Sequence, residues 1–152
     1  MKSKALPNVG YCGSCEDFVP YAIKKEKNKV TVKDLTFEVV EQVAHCKHCG
    51  EALVLEELEN DNDLKIYDKY RELSGLLTSQ QIKAIRKRRH LSQKELANFL
   101  CIGEKDITRY ENGAIQTRAI DLMIRMVDDE ESFKRMHRIA ENCYPNLKLK
   151  TN

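Results

Sequence analysis

Long hydrophobic runs, internal repeats and low-complexity segments are all missing from this 152-residue sequence. A bilayer-spanning helix needs about 20 consecutive apolar residues, and the segment before Cys12 lacks the apolar stretch of a secretory signal. We therefore expect no membrane partner and a cytoplasmic location. The sequence also has no nucleophile–base motif and no phosphate-binding loop, so we expect a protein that is not an enzyme.

The net charge is only +2, but charges of opposite sign are separated along the chain. Residues 51–63 contain six acidic side chains and no basic one, whereas residues 78–118 contain nine basic and four acidic side chains. The second segment therefore carries the local positive charge that attracts a polyanion such as nucleic acid.

Four of the six cysteines occur in two Cys-x-x-Cys pairs, Cys12 with Cys15 and Cys46 with Cys49. In a reducing cytoplasm such pairs favour metal binding over disulfides. Four thiolates complete a tetrahedral Zn²⁺ site and leave no open position, so we predict structural rather than catalytic zinc. Metal binding, on the order of 10 kcal/mol in small zinc modules, would supply much of the folding energy of so short a segment.

Two histidines and two further cysteines need separate interpretation. His45 and His48 each adjoin a cysteine and are alternative ligands, although with four thiolates available we favour surface or supporting roles for both. Cys101 and Cys143 lie on or beside apolar helical faces, and we expect both to be ordinary packing residues, with Cys101 buried.

The overall pattern predicts an α+β fold in two domains. A small zinc-bound β module is expected over residues 1–50, and an all-α, five-helix domain over residues 78–152. Between them, residues 51–77 are predicted to form an acidic connector with a short helix at residues 63–73.

Within the β module, alternating apolar residues predict strands at residues 18–24 and 30–43. The polar stretch 25–29 suits a turn between them. Pro20 cannot donate a backbone hydrogen bond, so we expect the first strand to lie at a sheet edge.

Helix signals follow one another from Thr78 onward. Thr78 or Ser79 can cap the first helix, and Ser92 with Glu95 forms a capping box at the start of the second. Further helices are predicted at residues 104–111, at residues 117–127 and from Asp128-Asp129.

The segment Leu91–Gly113, LSQKELANFLCIGEKDITRYENG, has apolar residues spaced as in a small helical core. Within residues 78–127 the chain resembles the Cro/repressor-like (XRE) helix-turn-helix family, since Ser92-Gln93 opens the second helix and residues 108–111 close the third. Cys101 stands where many members have glycine before the turn. The resemblance implies that the third helix enters the DNA major groove.

The same resemblance implies a set of DNA contacts. Arg109 can offer two donors to a guanine, and Lys105 lies one turn earlier on the same face; either could contact a phosphate instead. Gln93 is expected to contact the backbone or a base edge, and Lys94 and Thr108 to contact phosphates.

Other charged residues near this segment are expected to be structural or ambiguous. Glu111 resembles the internal ion-pair residue of the family, with Arg86 as its partner. Lys87, Arg88 and Arg89 either bind phosphate or form a solvated face.

The order of a four-cysteine module, a connector and a Cro-like domain resembles the MqsA-type antitoxin family. The resemblance implies a homodimer that binds a palindromic operator in double-stranded DNA and represses its own operon. It also implies that the zinc module binds a toxin protein. We therefore predict a sequence-specific transcriptional repressor that acts as an antitoxin. A stand-alone phage or mobile-element regulator, with a structural or redox-sensing zinc module, is the alternative.

Overall fold

The structure, a computed structural model, describes residues 8–146. Its contacts divide the chain into two compact units, residues 1–66 and residues 67–152. Residues 1–7 of the predicted 1–50 module and residues 147–152 of the predicted 78–152 domain lie outside the described residues. None of the helices in the described part combines the length and apolar composition that a bilayer crossing requires.

The first unit is organised around one antiparallel sheet of four strands in the order β1-β2-β3-β4. The strands are β1 (Val9–Cys12), β2 (Asp17–Val32), β3 (Leu35–Cys46) and β4 (Ala52–Leu53). The two long strands pair from Tyr21 with Cys46 to Val32 with Leu35, which places both cysteine pairs at the same end of the hairpin.

Two expectations about this hairpin are wrong. The predicted turn at residues 25–29 is part of β2, and the chain reverses at Lys33-Asp34, where Lys33 has a positive φ of 51°. Pro20 also lies in an inner strand rather than at an edge. Pro20 pairs with Val9 of β1, but the pairing of β2 with β3 begins only at Tyr21. The missing N–H of Pro20 therefore falls at the end of the β2–β3 ladder rather than within it.

The core of the first unit is small and lies beside the cysteines. It consists of five buried residues from all four strands: Cys12, Val19, Ala44, Cys46 and Leu53. Two of the five are members of the Cys-x-x-Cys pairs. So little apolar surface leaves the unit dependent on another source of folding energy.

Helix α1 (Glu56–Ser74) is longer than the predicted helix at residues 63–73 and begins inside the acidic segment. Three glutamates in its first turn explain this start, because negative charge is stabilised at a helix N-terminus. Within the first unit, Asn62 of α1 is buried and pairs with the Gln42 backbone through both its amide atoms, at 3.0 and 2.9 Å. The Asn62 amide thereby satisfies a backbone edge of β3.

Five helices follow α1 in the described chain: α2 (Ser79–Arg88), α3 (Gln93–Phe99), α4 (Glu104–Glu111), α5 (Arg118–Asp128) and α6 (Glu130–Cys143). Thr78 caps α2 and forms a capping box with Gln81. The capping box of Ser92 and Glu95 predicted for α3 is confirmed. Four of these five helices therefore start where a side-chain oxygen accepts a backbone N–H.

The second unit has a larger apolar core. Its ten buried members are Leu77, Ile82, Ile85, Leu96, Ala97, Phe99, Leu100, Ile107, Ile124 and Val127. They come from α2, α3, α4 and α5, with Leu100 at the C-cap of α3 and Leu77 two residues before α2. Each helix contributes an apolar face, so this unit can fold by burial of apolar surface.

The predicted packing role of the two isolated cysteines is wrong. Cys101 and Cys143 are both exposed. Cys101 follows the C-cap of α3 and has a φ of 56°, the left-handed conformation that favours glycine. This backbone conformation is the physical reason that glycine suits the position that Cys101 occupies.

Candidate metal centre and nucleic-acid interface

The four paired cysteines bring their sulfur atoms together at one end of the sheet. All four Sγ atoms lie within 4.8 Å of one another. The Cys12–Cys49 and Cys15–Cys46 sulfurs are 3.5 and 3.9 Å apart. A tetrahedral ion with metal–sulfur bonds of about 2.3 Å places its sulfurs roughly 3.8 Å apart. The cluster therefore fits a single tetrahedral metal ion.

Backbone donors prepare the second cysteine pair for this role. The N–H groups of Cys49 and His48 point at the Cys46 sulfur, with N–Sγ distances of 3.4 and 3.3 Å. These hydrogen bonds, led by the one from Cys49, lower the pKa of Cys46 to about 6. Hydrogen bonding with the neighbouring thiols, first that of Cys49, raises the pKa of Cys15 to about 12. The lowered pKa favours the thiolate of Cys46, the form in which cysteine binds metal.

Neither histidine beside the second pair belongs to the sulfur cluster. His45 Nδ1 lies 3.0 Å from the Gly50 carbonyl oxygen, and its Nε2 lies 2.7 Å from Glu26 Oε1. The Gly50 carbonyl and then the Glu26 carboxylate raise the pKa of His45. His48 is exposed. His45 therefore supports the turn that ends at Gly50, whose φ of 81° is a glycine conformation.

The residues predicted to contact DNA lie on α3 and α4, and three of them are exposed cations. Lys94 and Lys105 are each the second residue of their helix, and neither has an ion-pair partner among residues 8–146. The Arg109 side chain is 70% exposed and lies 3.5 Å from Asp106, its one ion-pair partner among residues 8–146. These three cations are free to meet an anionic ligand.

The other predicted contacts form a connected network between the two helices. Gln93 Nε2 donates to Glu111 Oε2 at 2.8 Å, and Thr108 Oγ1 donates to Gln93 Oε1 at 3.1 Å. Glu111 also accepts from Arg86, with Nη2–Oε2 at 2.9 Å. Gln93 is therefore held in one orientation at the start of α3.

The Arg86–Glu111 pair is largely buried, with side chains 12% and 3% exposed. Burial opposes ionisation of Glu111, but the hydrogen bonds from Arg86 and Gln93 outweigh it and hold the pKa of Glu111 below its usual value. The same pairing raises the pKa of Arg86 despite its burial. Arg86 further donates to the Leu91 carbonyl at 2.9 Å, so the pair ties α2 and the loop after it to the end of α4.

A family model for MqsA, the antitoxin component of bacterial toxin-antitoxin systems, matches residues 12–132. This span covers more than half of the chain and includes all four clustered cysteines. The chain belongs to the MqsA antitoxin family. No curated protein and no solved structure matches it significantly. The MqsA match ends two residues after the start of α6, and the family is one of regulators rather than enzymes.

In this MqsA family member, the basic residues at the end of α2 differ in their surroundings. Arg88 pairs with Asp128 at 2.7 Å, and Arg89 donates to the Val127 carbonyl at 2.8 Å and pairs with Glu130. Lys87 is exposed and has no ion-pair partner among the residues that the structure describes. Arg88 therefore fastens α2 to the end of α5, and Arg89 fastens it to the end of α5 and the start of α6, which favours a structural role for both.

Arg71 was not singled out from the sequence, although it is fully buried in the second unit of this MqsA chain. Its guanidinium donates to Gln116 Oε1 at 3.1 Å, to Asp68 Oδ1 at 2.7 Å and to the carbonyls of Tyr110 and Ala114. Burial is the largest influence on the pKa of Arg71 and lowers it. Arg71 fixes the end of α4 and the loop that follows, so it positions the candidate DNA-contacting helix from behind.

Proposed function

We propose that this MqsA family member is a DNA-binding antitoxin that uses α4 to read an operator and its zinc module to bind a toxin. The observation that carries the DNA half is the surface of α3 and α4. There, Lys94, Lys105 and Arg109 project from helix positions next to the fixed Gln93–Thr108 pair. Mobile cations around an oriented amide suit a surface that contacts phosphates and reads bases.

Zn²⁺ is the metal that the sulfur cluster fits best. Four thiolates in a tetrahedral arrangement favour zinc over magnesium or calcium, which prefer oxygen ligands. Cys12, Cys15, Cys46 and Cys49 would hold the ion, and no position would be left open for a substrate. Bound Zn²⁺ supplies charge neutralisation and cross-linking to the first unit, and the thiolates' role is structural.

In the proposed complex, α4 lies in the major groove of double-stranded DNA. Arg109 reads a guanine, and Lys105, on the same helical face, contacts a base or a phosphate. Lys94 and Thr108 bind phosphates, while Gln93 contacts the backbone or a base edge. The helix-turn-helix is formed by α3 and α4, whose packing is fixed by Leu96, Ile107 and the other core residues.

The proposal extends to assembly and regulation. A cytoplasmic homodimer binds a palindromic operator, because a two-fold symmetric protein presents two equal recognition helices. The dimer represses its own operon. Functionally, residues 1–50 serve as the zinc module, residues 51–77 as the connector and residues 78–152 as the DNA-binding domain.

The DNA half is tested by Arg109→Ala in the zinc-loaded full chain. We expect operator binding to weaken by about 1–3 kcal/mol, with relaxed choice at one base pair, because the substitution removes the bidentate donor. Fluorescence anisotropy with the operator and with single-position variants measures both effects. Arg135→Ala, an equal loss of charge on the exposed side of α6, should change neither. Weaker binding with unaltered base selectivity would show that Arg109 contacts a phosphate.

The toxin half is tested by co-expression with the product of the neighbouring gene. We expect that product to co-purify with the full chain and to be lost when Cys46→Ser disrupts the first unit. A neighbouring product that neither co-purifies nor inhibits growth would favour a stand-alone regulator.

A further inference from the structure

A cavity of about 670 Å³ lies within the second unit between the loop after α2 and helix α6. This volume is within the range of small-molecule sites. The predicted DNA contacts on α4 take no part in its lining. The cavity therefore has no function in the proposed reading of an operator.

Two apolar side chains line the cavity. They are Phe133 and Leu91, which also pack against the helical core. Phe133 stacks in a tilted arrangement on Phe99 with ring centroids 5.0 Å apart, and His137 continues this row 6.3 Å from Phe133. Phe133 and His137 both line the cavity, so two rings there are of the kind against which another aromatic ring can pack.

The charged part of the lining is mainly positive. It contains four cations and two carboxylates: Arg88, Arg89, Lys134, Arg138, Glu130 and Glu141. Glu130 is shared by Arg89 and Lys134. Glu141 lies 3.4 Å from His137 Nδ1. Arg138 is exposed and has no ion-pair partner among residues 8–146, so it is available to an anion.

The Arg89 guanidinium reinforces this arrangement, because it lies 5.2 Å from the centroid of the Phe133 ring. Cationic and aromatic surfaces therefore meet at one place in the cavity. A ligand that carries both a ring and a negative charge satisfies the two together, whereas a simple anion or a neutral ring satisfies only one.

We propose that the cavity between the α2–α3 loop and α6 binds a small anion that carries an aromatic ring, with the ring against Phe133 and the negative charge at Arg138. The MqsA family match ends at residue 132, so both of these residues lie beyond it. The site combines Arg88, Arg89 and Leu91, which lie inside the match, with residues of α6 beyond it. Its lining includes none of the clustered cysteines and none of the predicted DNA contacts.

The test is a titration of the ¹⁵N-labelled, zinc-loaded full chain with 2-naphthoate, followed by amide chemical shifts. We expect saturable shifts concentrated at Leu91, Phe133 and Arg138, with a dissociation constant on the order of 1 mM for a ligand of this size. The matched cation 2-naphthylmethylammonium and the ringless anion acetate should each bind at least roughly fivefold more weakly.

Two charge reversals on the same helix locate the anion. Arg138→Glu should weaken naphthoate binding by about fivefold or more, whereas Arg135→Glu, on exposed surface outside the cavity, should leave it unchanged. Phe133→Leu should abolish the preference for naphthoate over acetate. A thermal melt checks that the Phe133→Leu variant is folded. If that variant is unfolded, the result for Arg138→Glu decides whether the proposal holds. Equal effects of the two reversals, equal binding of the naphthyl cation, or shifts spread over the surface would overturn the proposal.

Discussion

The two units of the chain are stabilised in different ways. The first has five buried core residues, two of which are cysteines of the metal cluster, whereas the second has ten buried residues drawn from four helices and the segment before them. Polar groups also differ between the units: four sulfurs converge in the first, and buried Arg71, Gln116 and Asp121 form hydrogen bonds in the second. The first unit therefore pairs a small apolar core with a sulfur cluster that could bind a metal, whereas the second is held by apolar burial and buried hydrogen bonds.

Because of this difference, we expect different chemical treatments and substitutions to unfold the two units. Thiolate ligands must be deprotonated to bind metal, so acid, chelators and thiol oxidants act on the first unit. Large-to-small substitutions and loss of buried hydrogen-bond partners act on the second. Four changes to the chain, ordered by expected effect, can break or sharpen this comparison.

Cys46→Ser should have the largest effect, because it removes a metal ligand and a core residue together. We expect loss of bound zinc and of the dispersed amide resonances of β2 and β3, while the resonances of α2–α6 persist. Metal analysis and ¹H–¹⁵N correlation spectra measure the two outcomes. Cys143→Ser, at an exposed cysteine outside the cluster, is the control. Simultaneous loss of all resonances would mean that the two units do not fold separately.

Arg71→Met should destabilise the second unit by about 3–5 kcal/mol, because it leaves buried hydrogen-bond acceptors without a donor. These are the Gln116 side-chain oxygen and the Ala114 carbonyl, whereas the Tyr110 carbonyl keeps the Ser79 hydroxyl as a donor. Urea unfolding, with hydrogen exchange to localise the change to α4 and α5, measures it. Lys69→Met, on the same helix at a side chain 47% exposed, should change stability by less than about 0.5 kcal/mol. Similar losses of stability in the two variants would contradict the inference that the buried hydrogen bonds of Arg71 stabilise the second unit.

Asp121→Asn tests the acid response of the second unit. Burial opposes ionisation of Asp121, but hydrogen bonds from Arg125, the Leu77 N–H and Gln116 outweigh it and lower its pKa. A lowered pKa adds stability above the ordinary carboxyl pKa, and this stability is lost as pH falls through the folded-state value. We expect the variant to be less stable by about 1–3 kcal/mol at pH 7.

The deficit of Asp121→Asn should begin to shrink as the pH falls below roughly 4 and should disappear only below the lowered folded-state pKa, where the wild-type carboxylate is protonated in the folded chain. Urea titrations of both proteins at pH 7, 4 and 3 would follow it. A stability deficit that stayed constant over this pH range would show that the negative charge of Asp121 does not contribute to the stabilisation.

Cys101→Gly should have the smallest effect and the opposite sign. Cys101 has a φ of 56°, which costs a side-chain-bearing residue about 1 kcal/mol, and an exposed side chain at this position loses little packing when removed. The net change should therefore be a stabilisation of at most about 1 kcal/mol. Cys101→Ser retains the Cβ atom and should be neutral. Destabilisation by the glycine alone would indicate that unfolded-state entropy outweighs the relief of strain.

Local signals in the sequence predicted several features well. The two Cys-x-x-Cys pairs predicted the sulfur cluster, since each motif is a short-range pattern whose chemistry requires a partner. The Ser92–Glu95 capping box predicted the start of α3. The family resemblance is confirmed by the match over residues 12–132.

Features set by distant contacts could not be predicted in the same way. Residues 25–29 form part of a strand because they pair with β3. Their polar side chains are as typical of a turn as of a strand with two exposed faces, so the sequence alone favoured the turn. The burial of Arg71 depends on Gln116 and on carbonyl groups about forty positions further along the chain. Cys101 was misjudged because an apolar neighbourhood suggested burial, while its backbone conformation put it at a helix end.

The fixed orientation of Gln93 has a consequence for the conformational entropy of binding. Its amide is held between Thr108 and Glu111 before any ligand arrives, so a duplex that contacts it need not freeze that side chain, a saving of about 0.5–1.5 kcal/mol per ordered side chain. Arg109, by contrast, is 70% exposed and must still select one rotamer. Such a surface would meet DNA with one group fixed in advance and another that adapts to the base pair.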